Sequence, residues 1–166
     1  MMPNMLVLLL AALVPTVLGF IWYHPKVFGT AWMKAAEMTE EKIKSGKMGL
    51  IFFLSFVFSF LLAFALYSIV IHQNHMFSTL MGEPGFMEQK GEAWIYYQDF
   101  MNEFGSRFRT FKHGVFHGLV DGILFALPIL ATNAMFERKG FKYIAVNGGY
   151  WILTIALMGG IICQWA

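Results

Sequence analysis

The sequence is short of charged residues. Lysine, arginine, aspartate and glutamate make up 13% of the 166 residues, whereas soluble domains carry about 25%. Hydrophobic residues make up 58%, so too few polar side chains remain to cover a water-soluble fold of this size. The composition excludes an ordinary soluble domain and predicts a membrane protein whose first partner is the lipid bilayer.

Several functional signals are also missing. The single cysteine, Cys163, excludes an intrachain disulfide. A net charge of +2 without a basic cluster argues against a nucleic-acid partner. The chain has no phosphate-binding glycine loop, no nucleophile elbow and no Cys-x-x-Cys pair. No catalytic nucleophile with its base can be assembled from the sequence, so we expect a protein that is not an enzyme.

Four long apolar segments dominate the chain. A bilayer core of roughly 30 Å takes about 20 helical residues, and apolar segments of this length cover 5–23, 48–71, 113–136 and 143–165. The first lacks the positive residues that open a signal peptide, so we expect it to be retained. Proline predicts a bend near Pro15 and a kink at Pro128. We therefore predict an all-α membrane four-helix bundle, with residues 1–166 as one domain.

Basic residues are divided unevenly between the two sides of this bundle. The loops 24–47 and 137–142 hold eight lysines and arginines, whereas the long loop 72–112 holds four. The positive-inside rule then places the two basic loops in the cytoplasm. Both termini and the 72–112 loop are predicted to lie outside.

The 72–112 loop carries a helical pattern of its own. After the turn at Gly82–Gly85, apolar side chains recur at steps of three or four residues, which predicts an additional amphipathic helix over about 91–111. Its stripe consists of Trp94, Tyr97, Phe100, Phe104, Phe108 and Phe111. Such a helix suits contact with the membrane surface or with a partner protein.

The third apolar segment contains the stretch HGVFHGLVDG, in which small residues repeat every four positions. On a helix, Gly114, Gly118 and Gly122 form one stripe. Small residues let membrane helices approach closely, so this stripe predicts a packing face. A matching stripe on the second segment consists of Ser55, Ser59 and Ala63, and the fourth segment offers Ala145, Gly149, Ala156 and Gly160.

His113, His117 and Asp121 form the neighbouring stripe of the same helix. One interpretation is a polar seam, in which these side chains bond to neighbouring helices and Asp121 joins Asn133 and Asn147. A second is a metal or haem site, since His-x-x-x-His directs two imidazoles to one point and His72 or His75 could add a third. A proton or ion path through Asp121 and a small-ligand pocket are further alternatives.

Several stretches, most of them in and around the fourth segment, resemble a family of small four-helix bacterial integral membrane proteins, catalogued as a domain of unknown function. The resemblance rests on WYHPKVFGTAWM (22–33) with the TEE that follows, FERKGFKY (136–143), VNGGYWILTIALMGGII (146–162) and Trp165. It implies four spans in a bacterial cytoplasmic membrane. It brings no activity, cofactor or catalytic residue.

Our leading functional expectation is a small accessory or scaffold subunit of a larger membrane complex, without a cofactor. A homo-oligomer is the alternative assembly. Three features favour the accessory role: the loops are too small to build a catalytic site, small residues form packing stripes, and the long loop carries an aromatic helix. The alternative is a metal- or haem-binding membrane protein that uses His72, His75, His113 and His117. The third is an oligomeric transporter or proton path.

Overall fold

The computed structural model describes residues 2–166, and the described part is helical without a strand. Its α-helices, in chain order, are α1 (Met5–Ala11), α2 (Val14–Trp22), α3 (Thr30–Ala35), α4 (Glu40–Ser45), α5 (Met48–Val70), α6 (His72–Leu80), α7 (Gly91–Phe104), α8 (Phe111–Asp121), α9 (Leu127–Phe136) and α10 (Phe141–Trp165). Two π-helical segments, Pro25–Gly29 and Gly122–Ala126, complete the series.

Four of the helical stretches are long and apolar enough to cross a bilayer: Met5–Trp22, Met48–Val70, Phe111–Phe136 and Phe141–Trp165. Consecutive spans run in opposite directions. We call the end where α5 stops and α8 starts the histidine end, and the end where α2 stops and α10 starts the lysine end. The predicted all-α bundle with four membrane-spanning helices is confirmed.

The fourth span, α10, is the central helix of the bundle. In its most apolar window 61% of residues are buried, against 17–22% in the other three spans. Its side chains Met158 and Ile162 are fully buried beside Leu8 of α1 and Leu66 of α5. The other spans leave many large apolar side chains exposed, as expected of helices that face lipid.

Glycines bring α8 against α10. A Cβ on Gly114 would stand 2.1 Å from the carbonyl oxygen of Gly159, and one on Gly118 would stand 2.4 Å from that of Ile155. These separations leave no room for any side chain. The glycine stripe of span 3 therefore packs on span 4. The stripe of small residues on the second span is only partly buried. Ser59 and Ala63 are buried, and Ser55 is exposed.

Both prolines lie where the helices are irregular. The first span breaks between α1 and α2, just before Pro15, whose carbonyl oxygen accepts a hydrogen bond from the Tyr150 hydroxyl at 2.7 Å. In the third span the π-helical segment Gly122–Ala126 precedes Pro128. A proline ring clashes with the carbonyl four residues earlier, which explains the widened turn.

The long loop forms a small helical unit at the histidine end. It contains α6, which the sequence pattern did not predict, and α7, which ends at Phe104 rather than near residue 111. Gly105 is the C-cap and keeps right-handed angles, and the left-handed backbone of Phe108 (φ 64°) then prevents the helix from continuing toward residue 111, because a helix requires right-handed values at every residue. A short irregular segment, 105–110, then leads into α8.

Candidate metal centre at the histidine end

A corner in the chain positions His72. Ile71, which is fully buried, has extended backbone angles between α5 and α6, so His72 becomes the first residue of α6. This corner ends the second span and turns the chain across the histidine end of the bundle. His72 thereby lies over the start of the third span rather than continuing along the axis of α5.

The start of α8 positions the other two histidines. The Thr110 side chain caps the helix by accepting a hydrogen bond from the His113 backbone N–H at 3.3 Å. Close packing of Gly114 and Gly118 on α10 fixes the rotation of α8 about its axis. Because His113 and His117 lie on the adjacent stripe, this rotation carries both imidazoles to one side, where they meet His72.

The three imidazoles converge on a single point. The Nε2 atom of His113 is 2.9 Å from that of His72 and 3.1 Å from that of His117. One ligand nitrogen from each residue lies within 4.8 Å of the other two. His72 is exposed, and the other two are half-buried. The cluster is thus open on the loop side and closed toward the bundle.

Hydrogen bonding explains only part of this arrangement. A ring nitrogen carries either a proton or a lone pair, so His113 Nε2 can make one linear hydrogen bond but has two close nitrogen neighbours. Ligand nitrogens roughly 2.0–2.1 Å from a tetrahedral ion stand about 3.3 Å from each other. The two Nε2–Nε2 separations in the structure, 2.9 and 3.1 Å, lie slightly below that value.

No anionic ligand belongs to the cluster. Within residues 2–166, the group of ligand atoms contains the three histidines and neither a carboxylate nor a thiolate. His75, the other candidate third ligand, is exposed one turn further along α6 and is not a member. Three neutral imidazoles would hold an ion and leave one coordination position free, as in catalytic zinc sites.

An aromatic wall borders the cluster. The Phe108 ring stacks on the His113 imidazole with centroids 4.9 Å apart and planes inclined by 19°, and its centroid is 6.3 Å from that of His72. The Arg107 guanidinium lies over the rings of Phe104 and Phe108 at 5.5 and 5.3 Å. The sequence stripe singled out both phenylalanines but gave Arg107 no role.

The predicted polar seam is not continuous in the described residues. Asn147 accepts a hydrogen bond from the Tyr23 hydroxyl at 2.9 Å and donates to the Tyr143 carbonyl. Asn133 is exposed. Asp121 lies one turn below His117, and its Oδ2 atom is buried with no hydrogen-bond partner among residues 2–166. These polar groups belong to separate environments.

The predicted aromatic surface divides into two parts. Trp94 and Tyr97 pack against Phe77 and Phe86 in a cluster inside the loop unit, and Tyr97 is only 8% exposed. Phe100, Phe104 and Phe108 instead line an open groove beside His72. Phe111 belongs to span 3, where its ring approaches that of Trp165. Whether a partner or a membrane surface meets any of these rings stays a prediction.

The segments that carry the family resemblance meet at the lysine end. The Trp22 indole N–H donates to the Val146 carbonyl at 3.1 Å, and Tyr23 bonds to Asn147 as described above. A Cβ on Gly149 would lie 3.1 Å from the Trp22 ring. The first loop motif and the Asn-Gly-Gly-Tyr-Trp motif thus form one interface between spans 1 and 4. They lie far along the bundle from the histidines.

Comparisons with known proteins give a family and nothing more specific. A family model described as "Protein of unknown function (DUF1761)" matches residues 6–163. No curated protein and no solved structure matches the chain.

Proposed function

The chain belongs to the DUF1761 family, and we propose that it is a membrane protein that binds a divalent transition-metal ion through His72, His113 and His117. The observation that carries this proposal is the approach of two other imidazole nitrogens to His113 Nε2, at 2.9 and 3.1 Å. A shared cation accounts for both short separations at once, because each nitrogen then directs its lone pair at the ion.

The ligand set indicates which ions fit. Imidazole suits zinc, copper, nickel and iron, whereas calcium and magnesium require oxygen ligands. The ring centroids of the three histidines lie 4.6–5.1 Å apart. This crowding around one point favours a single small ion and leaves no gap for a haem macrocycle between any two of the rings.

The distribution of charge supports an external site. The loops that adjoin the lysine end hold eight lysines and arginines, against four in the loop at the histidine end. By the positive-inside rule the metal centre faces away from the cytoplasm. In a bacterial cytoplasmic membrane it would draw its ion from the external side.

Equilibrium dialysis with cobalt(II) tests the proposal. The protein is purified in mild detergent without chelator, and cobalt is chosen because its visible spectrum reports ligand geometry. We expect one cobalt per chain with the spectrum of a four-coordinate site that has three nitrogen ligands. His113→Ala should abolish the spectrum, since the residue at the centre of the cluster is lost.

His24→Ala is the matched control, because His24 lies at the lysine end, where its ring caps the backbone N–H of Lys26. It should bind cobalt as the unmodified protein does. The metal centre would be contradicted if His113→Ala and His24→Ala bound cobalt equally well while both were folded by circular dichroism. The histidine cluster would then be a hydrogen-bonded contact between helices.

An accessory role in a larger complex is the second candidate, and it is compatible with metal binding. The open side of the groove lined by Phe100, Phe104 and Phe108 supports it, as such a surface suits a partner. This hypothesis predicts co-purification of a defined partner in mild detergent. Isolation as a lone monomer or as a homo-oligomer would count against it.

A further inference from the structure

We propose that the groove beside the histidines binds a small water-borne carboxylate with an apolar body, whose carboxylate occupies the free position on the metal ion. This inference rests on the metal centre proposed above and names the ligand class of the same site. The groove has a volume of about 500 Å³ and is lined by His72, Gln73, Phe100, Phe104, Arg107 and Phe108.

The charge of the site calls for an anion. Three neutral imidazoles leave a divalent ion with its full charge of +2, and the ligand cluster of the described residues supplies no carboxylate. Arg107 adds a further positive charge at the groove. The salt bridges within residues 2–166 lie elsewhere, between Lys44 and Glu40 and between Lys139 and Glu37. A carboxylate is a ligand for such ions and a partner for a guanidinium.

The other residues that line the groove favour a ligand with an apolar part. Phe100, Phe104 and Phe108 contribute aromatic rings, and the groove surface is mostly apolar. A pocket of this kind buries the hydrophobic part of a ligand and fixes its orientation with few polar groups. A bare inorganic anion would leave these rings in contact with water, whereas an aromatic or branched carboxylate would cover them.

The segment that bears Arg107 is held in place. Gln73, which is 3% exposed, donates from Nε2 to the Phe104 carbonyl at 3.0 Å and to the Arg107 carbonyl at 2.9 Å. Two residues further on, the Arg109 side chain donates to the Cys163 carbonyl at 2.7 Å and also to that of Ala166. These bonds tie the irregular segment to α6 on one side and to α10 on the other, so the groove is largely preformed.

The position of the groove indicates a ligand from water rather than from lipid. His72 follows the end of span 2 at Val70, and residues 100–108 precede the start of span 3 at Phe111. The groove therefore lies beyond the hydrocarbon-spanning helices, and His72 on its wall is exposed. A water-soluble acid reaches it without crossing the acyl region.

Titration of the cobalt-loaded protein with benzoate and with acetate tests the inference. We expect benzoate to shift the visible cobalt spectrum and to bind about tenfold more tightly than acetate, because its ring buries apolar area against the phenylalanines. Arg107→Gln should weaken benzoate binding to the cobalt-loaded protein about tenfold, because the guanidinium that pairs with the carboxylate is lost. Lys112→Gln is the matched control, since Lys112 is exposed nearby but does not line the groove.

The outcomes separate the two proposals. Cobalt that binds with a spectrum indifferent to benzoate would overturn the carboxylate site alone. Equal weakening by Arg107→Gln and Lys112→Gln would likewise overturn it, because general charge rather than the groove would then attract the anion. Retention of a co-purified phospholipid that benzoate cannot displace would overturn the water-borne source. Failure to bind cobalt at all would overturn the metal centre itself.

Discussion

The Nε2 atoms of His72 and His113 lie 2.9 Å apart although 41 positions separate the two residues in the sequence. One belongs to the first turn of α6 and the other to the first turn of α8. Their approach depends on the corner at Ile71 and on the seating of α8 against α10. This contact connects the loop unit to the membrane bundle. An ion bound by both histidines would hold the loop unit against the bundle.

Replacing one loop histidine at a time tests which of them is the third ligand. His72→Ala should weaken cobalt binding by more than about 100-fold, because loss of a ligand costs more than the 10- to 100-fold typical of outer partners. His75→Ala should leave the affinity unchanged, since His75 lies outside the cluster. Equilibrium dialysis measures both, and a larger effect of His75→Ala would contradict the assignment.

The glycine contact between α8 and α10 should control stability. Gly118→Ala places a Cβ 2.4 Å from the Ile155 carbonyl oxygen, which forces the helices apart and should cost about 1–3 kcal/mol. The measurement is unfolding in a series of detergent mixtures, followed by circular dichroism. The control is Gly49→Ala on α5, where nothing lies within 4 Å of the added Cβ. Equal stability of the two variants would show that the close contact is not formed.

Phe108 combines a left-handed backbone with a ring stacked on His113, and two variants separate these features. Phe108→Ala loses the ring and keeps the strain, whereas Phe108→Gly loses both. Because any residue other than glycine at positive φ costs about 1–3 kcal/mol, the glycine variant should be the more stable of the two. Both should weaken cobalt binding about tenfold by releasing His113.

Phe108→Tyr should restore the affinity for cobalt, since the stacked ring is retained. Parallel thermal unfolding and cobalt titrations measure both effects. Full cobalt affinity in the alanine variant would contradict an orienting role for the ring, and an alanine variant as stable as the glycine variant would contradict the strained backbone.

The aromatic cluster of the loop unit should weaken at alkaline pH. Burial raises the pKa of the Tyr97 phenol, so the folded state favours the neutral form. The stabilisation is present below the ordinary pKa of about 10 and is lost as the pH rises through the raised value. We expect the near-ultraviolet circular dichroism signal to fall there, and to fall less in Tyr97→Phe.

Tyr96→Phe is the control for that experiment, because Tyr96 is the neighbouring tyrosine and is 63% exposed. The Tyr96→Phe variant should lose its near-ultraviolet circular dichroism signal over the same pH range as the unmodified protein. An identical alkaline transition in Tyr97→Phe would show that other tyrosines govern the change.

The spans were predictable from sequence because lipid imposes a simple rule. Each crossing needs a continuous apolar helix of about 20 residues, and the four predicted segments differ from the observed spans by at most two residues at either end. The loop followed no such rule. The sequence of α6 shows no clear apolar period. The left-handed backbone at Phe108 keeps α7 from reaching α8, and that conformation depends on contacts with residues distant in the sequence.

The candidate site was predictable only as a set of alternatives. Four-residue spacing put His113 and His117 on one face, but nothing in the spacing distinguishes His72 from His75. The corner at Ile71 decides between them, and a corner of that kind depends on packing at the top of the bundle. Arg107 and Gln73 were missed altogether, since a lone arginine and a lone glutamine in a loop carry no local pattern.

The metal centre is tested most directly by X-ray absorption at the metal edge, on protein purified without chelator and loaded with one equivalent of zinc. We expect three imidazole nitrogens at roughly 2.0–2.1 Å with one oxygen ligand from water completing the shell, and loss of the imidazole pattern in His113→Ala. A shell of oxygen alone, or zinc removed by simple desalting, would contradict it.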